Sequence, residues 1–334
     1  MTISRANDWV NPLPGVPDVE SPFFEDIFSR KVGRPGWFEI AKAFRRDGFA
    51  IIDFPDDGFG RLASDVVSTL RGRFDLANWS GHSGLRLQDG WTEVEAIRAL
   101  AVNADILTLL GYLYGRPAFA FQTLNFPVGT QQHFHSDALH FSSLPERYMC
   151  GVWVALEDTD GCNGPLVYYP GSHRLPIWKN EHIGRVPDGH SSQVVYHDMW
   201  VDLMRVEGIA PVEFHARKGQ ALIWAANLFH GGKQQIDRKR TRWSQVTHYL
   251  FEGCNYYTPM DSDESTGRIE FRSVLDIATG RTRSGSRVTS AHAALPEGFD
   301  LARYLELNND VRAAGVDAAE HYLNYGRFEG RRWR

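Results

Sequence analysis

Residues 118–141, AFAFQTLNFPVGTQQHFHSDALHF, consist of short aromatic and apolar runs broken by proline and glycine. Such runs predict β-strands separated by turns. Four later segments have the same character: YMCGVWVALE (148–157), PLVYYPG (165–171), GQALIWAANLFHGG (219–232) and TRWSQVTHYLF (241–251). Because helices do not alternate strictly with these strands, the pattern predicts antiparallel sheets in a β-sandwich or jelly-roll barrel, not a doubly wound fold.

The chain before residue 115 is mostly helical in pattern. Apolar residues recur at three- and four-residue spacing in VEAIRALAVNADILTLLGYLYG (94–115), which predicts a core-facing helix. Helical patterns also begin near Phe23 and cover Phe59–Arg73, with a strand predicted between them at Gly48–Phe54. HDMWVDLMRVEG (197–208) predicts a helical insertion among the later strands. The expected fold class is therefore α+β, with a jelly-roll core flanked by helices.

Changes in composition divide the chain into four segments. Residues 1–24 are polar and proline-rich and predict an extended, poorly ordered arm, and residues 25–278 form the main domain. Residues 279–292 are rich in glycine, serine and arginine, which predicts a linker. Residues 293–334 carry a separate apolar pattern that predicts a small helical appendage with breaks at Gly315 and Gly326.

Composition limits the partners and the compartment. A net charge of -5 in 334 residues gives no electrostatic reason to expect nucleic acid or an anionic membrane as partner. The three cysteines form no C-x-x-C pair, which favours a reducing, cytoplasmic compartment. No uninterrupted apolar run approaches the length of a transmembrane helix, so we expect no membrane insertion. The expected partner is a small-molecule substrate.

A metal site is predicted at the only H-x-D sequence of the chain, His135-Ser136-Asp137. Residues two apart on a strand point to the same face, so His135 and Asp137 can bind one ion. A second histidine would complete a 2-His-1-carboxylate triad, a ligand set suited to Fe(II) with positions left open. His230 is the candidate, since it ends an apolar strand before two glycines that permit close approach. His133 and His140 do not fit this register and are expected around the site or on the surface.

A carboxylate-binding group is predicted on the strand after His230. Arg242, Ser244 and His248 would share one face of that strand. An arginine and a hydroxyl there can bind a carboxylate through bidentate, charge-assisted hydrogen bonds. The alternative is that Arg242 is an exposed member of the basic run DRKRTR (237–242).

The order H-x-D, a distant histidine and R-x-S resembles the Fe(II)/2-oxoglutarate-dependent oxygenases, and specifically the phytanoyl-CoA dioxygenase-like family. FQTLNFPVGTQQ (121–132), VWVALEDTDGCNGPLVYYPGSHR (152–174) and FHGG (229–232) support the resemblance, which runs from about Ala41 to Asp276. The family implies a double-stranded β-helix core with the iron ligands inside it. It also implies Fe(II) as cofactor, and 2-oxoglutarate and O2 as cosubstrates.

The resemblance assigns roles to individual residues. His135, Asp137 and His230 would bind iron, and Arg242 would bind the far carboxylate of 2-oxoglutarate, with Asn125 and Gln132 as further contacts. Trp153 matches a family tryptophan that lines the pocket.

Two positions depart from some relatives. Gly232 stands where they have a hydroxyl, so that cosubstrate contact is missing or supplied by Ser244, and Asn125 stands where they have a lysine. Iron halogenases of the wider group lack the carboxylate ligand. The presence of Asp137 therefore favours oxygenation over halogenation.

The C-terminal segment resembles a short helical repeat that accompanies bacterial enzymes of surface-glycan assembly, on the sequence YLELNNDVRAAGVDAAEHYLNYGRFEGR (304–331). It can dock a protein or a glycan through residues 293–334, or simply cap the barrel. The leading functional hypothesis is a 2-oxoglutarate-dependent hydroxylase of a small molecule, with a sugar or surface-glycan precursor suggested only by this tail. The alternatives are a non-catalytic scaffold on a degenerate oxygenase fold, and a cupin-like metalloenzyme independent of 2-oxoglutarate, which Arg242 disfavours.

Overall fold

The computed structural model describes residues 11–81, 85–185, 192–284, 295–296, 298–326 and 329–334. The chain forms two compact units, Met1–Ser286 and Arg287–Arg334. The helices of the first unit are α1 (Phe24–Phe28), α2 (Trp37–Asp47), α3 (Phe59–Leu70), α4 (Glu95–Ala101), α5 (Ala104–Tyr114) and α6 (His197–Glu207).

Thirteen strands lie in the described part of the first unit. They are β1 (Phe49–Asp53), β2 (Leu87–Gln88), β3 (Ala118–Phe126), β4 (Ser142–Leu144), β5 (Met149–Ala155), β6 (Leu166–Tyr168), β7 (Val212–Phe214), β8 (Gln220–Ala225), β9 (His230–Gly232), β10 (Ser244–Phe251), β11 (Asn255–Tyr257), β12 (Ser273–Leu275) and β13 (Thr282–Ser284). The predicted antiparallel sheets are confirmed, since every strand pair is antiparallel.

The major sheet has six strands in the order β1-β8-β5-β10-β3-β2. Its two faces bury different residues, as the two-residue repeat of a strand requires. On β5, Val152 and Val154 pack into the core shared with the helices, whereas Trp153 packs into a second core on the other face. On β8, Ile223 packs into the core shared with the helices and Leu222 packs into the second core. The sheet is therefore buried on both faces, with helices on one side.

A smaller three-stranded sheet, in the order β7-β6-β9, faces the second side of the major sheet. Tyr168 and Phe214 from this small sheet pack with Trp153 and Leu222 of the major sheet in one apolar cluster. The Trp153 and Phe214 rings meet edge to face with centroids 5.7 Å apart. Two further strand pairs, β4–β11 and β12–β13, lie outside these sheets.

One stretch, Glu95–Tyr114, is long and apolar enough to cross a membrane by length and composition alone. It consists of two helices, α4 and α5, and the Asn103 side chain between them accepts hydrogen bonds from the first backbone N–H groups of α5. The apolar side chains of both helices belong to the core beneath the major sheet: Ile97, Leu100, Ile106, Leu109, Leu110 and Leu113. The two helices therefore pack as core helices of the first unit.

The described part of the predicted N-terminal arm, residues 11–24, is packed and not extended. Val19 is fully buried, and its backbone N–H donates to the Leu113 carbonyl at 2.9 Å. Asp18 forms an ion pair with Lys31 at 2.6 Å. A second ion pair joins Glu20 to Arg147 at 2.8 Å. Backbone hydrogen bonds and two ion pairs thus hold a segment whose polar, proline-rich composition predicted disorder; residues 1–10 lie outside the described part.

The predicted linker at 279–292 is also shorter than expected. Its first part contains β13, which pairs with β12, and the Arg283 guanidinium donates to the Asp276 carboxylate at 2.7 Å. Residues 285–292 lie outside the described part of the chain.

The second unit contains α7 (Leu301–Leu307), α8 (Asn309–Ala313) and α9 (Ala318–His321), followed by a π-helical turn at Tyr322–Gly326. Its own small core includes Tyr304, Val311 and Tyr322. Gly315 adopts a positive φ of 65° after α8, which is the conformation glycine favours at a helix end.

Candidate metal centre and cosubstrate pocket

His135 and His230 lie directly opposite each other in an antiparallel bridge between the H-x-D segment and β9. The His135 backbone N–H donates to the His230 carbonyl at 2.9 Å, and the reverse bond is 3.1 Å. Their imidazole centroids are 4.6 Å apart. Backbone pairing thus brings together two histidines that are 95 positions apart in the sequence.

Close backbone contact explains the glycines after His230. A Cβ at Gly231 would lie 2.8 Å from the Gln132 carbonyl oxygen, and one at Gly232 would lie 2.4 Å from the Thr130 hydroxyl. Only glycine leaves room for residues 130–134 to run this close to β9.

Backbone carbonyls orient both imidazoles. His135 Nδ1 lies 3.0 Å from the His133 carbonyl oxygen, and His230 Nδ1 lies 3.0 Å from the Leu228 carbonyl oxygen. A carbonyl only accepts, so each Nδ1 carries the proton and each Nε2 keeps its lone pair. Burial lowers the pKa of His230 to about 4, which also favours the neutral ring that a metal ligand requires.

Asp137 supplies the carboxylate. It is 4% exposed and begins a short 3-10 turn. Its Oδ1 lies 3.4 Å from His135 Nε2, and its Oδ2 lies 3.7 Å from His230 Nε2. One ligand atom from each of the three residues lies within 4.8 Å of the others. Burial raises the pKa of Asp137, but the imidazoles of His230, His135 and His248 outweigh it and leave the pKa well below its usual range, so the carboxylate is ionised.

The donor set fits Fe(II). Two neutral imidazoles and one carboxylate form the 2-His-1-carboxylate group of non-haem iron oxygenases, which leaves adjacent positions free for other ligands. The three residues line one cavity of about 480 Å³ between the two sheets.

Arg242 lines the same cavity and is 1% exposed. Its only side-chain hydrogen bond among the described residues is a long one, from Nη2 to the Val128 carbonyl at 3.4 Å, and Nε and Nη1 have no partner there. Burial lowers the pKa of Arg242 to about 10. A buried guanidinium with unpaired N–H groups is costly unless an anion joins it, so its surroundings fit the carboxylate of a cosubstrate. Arg242 is therefore not an exposed member of the basic run.

Residues 43–240 match the sequence profile of the phytanoyl-CoA dioxygenase family, PhyH. The chain belongs to this family. The match covers more than half of the chain and includes His135, Asp137 and His230. Iron and 2-oxoglutarate are the cofactors that the family match and the triad support. A comparison with curated proteins found no match.

Several solved enzyme structures share the fold of this chain. The non-heme alpha-ketoglutarate-dependent epimerase SnoN from nogalamycin biosynthesis is 21% identical, with a TM-score of 0.50 over 72% of this chain and 94% of SnoN. The carbocyclase SnoK from the same biosynthesis is 16% identical, with a TM-score of 0.53 over 68% of this chain and 87% of SnoK. EctD from S. alaskensis with bound Fe is 19% identical, with a TM-score of 0.51 over 76% of this chain and 83% of EctD.

The family resemblance also assigned cosubstrate or pocket roles to residues outside the triad. Gln132 and Trp153 line the cavity, and the Trp153 ring lies under the Arg242 guanidinium with the Cζ atom 5.5 Å from the ring centroid. Ser244 is fully buried, and its hydroxyl has no hydrogen-bond partner among the described residues. The Thr130 side chain lines the cavity and fills the space beside Gly232, so a hydroxyl is present although residue 232 has no side chain.

Asn125 does not line the cavity. Its neighbours Leu124 and Phe126 face the cavity, whereas the Asn125 amide donates to Gln245 Oε1 at 3.1 Å on the opposite face of the sheet. The cosubstrate contact expected for Asn125 is therefore wrong. The error arises because both faces of β3 are buried, so burial does not show which of its alternating side chains face the cavity.

The remaining histidines of the H-x-D segment do not join the triad. The His133 ring stacks on His197 with centroids 3.9 Å apart. His140 lines the cavity, and its Nε2 lies 2.9 Å from Gln193 Oε1.

The sequence did not predict two neighbours of Asp137. The Trp224 indole N–H donates to Asp137 Oδ2 at 2.9 Å, and His248 Nε2 lies 3.6 Å from the same oxygen. His248 was predicted on the face of Arg242, but nothing in the sequence indicated a contact with Asp137.

Proposed function

We propose that the protein is an Fe(II)- and 2-oxoglutarate-dependent dioxygenase that hydroxylates a small polar molecule and releases succinate and CO2. One observation carries the proposal: the triad shares a single cavity with a buried arginine whose Nε and Nη1 have no partner among the described residues. We infer further that the two facing sheets form the double-stranded β-helix core of the family.

The residues of the cavity would have different roles in catalysis. His135, Asp137 and His230 would hold Fe(II), which when bound supplies the activation of O2 coupled to decarboxylation of 2-oxoglutarate. Arg242 would bind the far carboxylate of 2-oxoglutarate, and Trp153 would pack beside it. Leu222, with the other apolar side chains between the sheets, would exclude water from this end of the cavity.

Hydroxylation is proposed as the reaction because Asp137 would serve as the carboxylate ligand whose absence would open a position for a halide. The related enzymes SnoN and SnoK are an epimerase and a carbocyclase, so the same scaffold serves other outcomes. The product of the first turnover would distinguish them: a hydroxylase adds one oxygen atom to its substrate, whereas an epimerase leaves its mass unchanged.

A sugar or surface-glycan precursor is the proposed substrate class, and the cytoplasm is the proposed compartment. The support for the substrate class is the repeat-like sequence of residues 304–331, whose described part forms short helices around its own core. We propose that this unit docks a protein or a glycan.

A panel of nucleotide sugars, acyl thioesters and amino acids, assayed for succinate release with Fe(II) and 2-oxoglutarate, tests the proposal. A sugar-type compound should stimulate succinate release above the uncoupled background. The competing function is a non-catalytic scaffold, which would form no succinate with any compound and would bind no 2-oxoglutarate.

A further inference from the structure

The cavity has two ends, which the pairing of β10 with β3 defines. Ser244 is opposite Phe126 at the end near Arg242, and His248 is opposite Gln122 at the other end. Around this second end the cavity is lined by Gln122, His140, Phe141, Gln193 and His248. Arg86 and Gln88 line the cavity from the edge of the sheet, where Gln88 of β2 is opposite Leu124 of β3 and Arg86 is level with Phe126. The first end fits the cosubstrate, which leaves the second end for the substrate.

The charges of the loaded first end would cancel. The two positive charges of Fe(II) and the one of Arg242 balance the single negative charge of Asp137 and the two of 2-oxoglutarate. Arg86 is then the one unbalanced charge among the described residues that line the cavity. Arg86 is exposed and has no carboxylate partner among the described residues. A positive charge at the mouth of a cleft attracts an anionic ligand.

The second end is suited to hydroxyl groups. Gln122 contacts His248, and Gln193 contacts His140, each through a single side-chain atom at 2.9 Å. The other amide atom of each glutamine can bind a ligand. Phe141 adds one apolar ring on which a sugar-like face can pack.

We infer that the substrate bears hydroxyl groups and one anionic group, a carboxylate or a phosphate ester, which pairs with Arg86. This inference rests on the proposed function, because it takes the Arg242 end to be filled by 2-oxoglutarate. A cavity of about 480 Å³ that also holds the cosubstrate favours a compound of monosaccharide size.

Calorimetric titration of the Co(II)- and 2-oxoglutarate-loaded full chain tests the inference, because Co(II) supports binding without turnover. Glucose 1-phosphate and glucuronate are the anionic probes, and glucose is their neutral counterpart. At least one anionic probe should bind about tenfold or more tightly than glucose, and Arg86→Gln should remove the difference while leaving 2-oxoglutarate affinity unchanged. Arg61→Gln, which changes an exposed arginine of α3 outside the cavity, is the matched control.

Comparing glucose 1-phosphate with glucuronate shows whether the substrate's anionic group is a phosphate ester or a carboxylate. Equal binding of charged and neutral probes, or a preference that persists in Arg86→Gln, would overturn the inference. Failure to bind 2-oxoglutarate at all would instead refute the proposed function, so the two failures are distinguishable.

A second inference concerns a row of residues across the major sheet. Trp224 on β8 is opposite Gly151 on β5, Gly151 is opposite His248 on β10, and His248 is opposite Gln122 on β3. A Cβ at Gly151 would lie 2.1 Å from the Trp224 indole. The glycine therefore gives the indole space over the middle strand, where it reaches Asp137.

Both flanking side chains approach the same oxygen of Asp137. The Trp224 N–H donates to Oδ2 at 2.9 Å, whereas His248 Nε2 at 3.6 Å is in contact but beyond hydrogen-bond length. Oδ1 lies 3.4 Å from His135 Nε2, and Oδ2, the oxygen that accepts from Trp224, lies 3.7 Å from His230 Nε2. The geometry points to Trp224 as the positioning residue: its N–H holds Oδ2, so that Asp137 would bind the metal through Oδ1 alone. A carboxylate held this way does not occupy a second coordination position, which cosubstrate and oxygen require.

Co(II) affinity, followed by visible absorption of the bound ion, tests this role without turnover. Trp224→Phe keeps a ring over Gly151 but removes the N–H, and should weaken Co(II) binding by roughly 10–100-fold, the usual effect of losing a partner of a metal ligand. Gly151→Ala should displace the indole and give the same loss with Trp224 intact. Trp91→Phe is the matched control, because the buried Trp91 indole N–H has no hydrogen-bond partner among the described residues and Trp91 does not line the cavity.

Thermal unfolding of the metal-free variants separates positioning from stability. The inference expects Trp224→Phe to lose Co(II) affinity at nearly unchanged Tm, with an altered Co(II) spectrum. Unchanged Co(II) affinity and spectrum in both Trp224→Phe and Gly151→Ala would overturn it.

Discussion

Replacing Arg242 should have opposite effects on the free protein and on cosubstrate binding. In the free protein the guanidinium is 1% exposed, and its Nε and Nη1 have no partner among the described residues. An apolar side chain of similar length removes that desolvated charge. Arg242→Met should therefore raise the Tm of the cofactor-free protein by a few degrees, at roughly 2–4 °C per kcal/mol for a domain of this size class.

The same substitution should nearly abolish 2-oxoglutarate binding. The far carboxylate would be buried beside Trp153 without its partner, and breaking a buried charge pair costs about 3–5 kcal/mol. Affinity should then fall by between about two and four orders of magnitude, at 1.4 kcal/mol for each factor of ten. Arg242→Lys should lie between the wild type and Arg242→Met, because an ammonium cannot reproduce the planar fork.

Anaerobic calorimetric titration of 2-oxoglutarate into metal-loaded protein gives the affinities, and scanning calorimetry gives the Tm values. Arg240→Ala is the control, since Arg240 pairs at the surface with Asp160 and should leave the affinity unchanged. Iron content should stay constant in all variants, because Arg242 is not a metal ligand. An Arg242→Met protein with wild-type affinity for 2-oxoglutarate would refute the assignment of the carboxylate site.

Three further predictions concern the triad, the appendage and the glycine pair. His135→Ala, Asp137→Ala and His230→Ala should each lose iron, measured as metal content after loading, whereas His133→Ala should keep it; equal iron in both groups would contradict the triad. A chain ending at Ser286 should stay folded and still consume 2-oxoglutarate, because residues 287–334 form a separate compact unit; insoluble or inactive truncated protein would show that the unit is required. Gly231→Ala should lower the free energy of unfolding in urea by about 1–3 kcal/mol, since its Cβ would meet the Gln132 carbonyl at 2.8 Å; an unchanged midpoint would disprove the close packing.

Short-range sequence patterns predicted much of the site. The two-residue repeat of the strand predicted at residues 241–251 placed Arg242 and His248 on one face, and both line the cavity. The glycines after His230 indicated close approach, which is made by the backbone of residues 130–134. Patterns of this kind need only local spacing, so a single chain reveals them.

Features that depend on strand order could not be predicted in this way. The row from Trp224 to Gln122 crosses four strands that are not consecutive in the chain, so no spacing connects its members. Asn125 was placed on the wrong face because both faces of β3 are buried, and alternation then gives no direction. The packed segment around Val19 was missed because backbone hydrogen bonds hold it, and these leave no trace in composition.

The most direct test of the central claim is an anaerobic titration of 2-oxoglutarate into the Fe(II)-loaded full chain, followed by visible absorption. Chelation of the iron by the cosubstrate produces a metal-to-ligand charge-transfer band. The account predicts a band that saturates at one 2-oxoglutarate per chain and is absent in His230→Ala. A wild-type protein that binds Fe(II) but develops no such band, or a band that persists unchanged in His230→Ala, would contradict the assignment of this cavity as an iron and 2-oxoglutarate site.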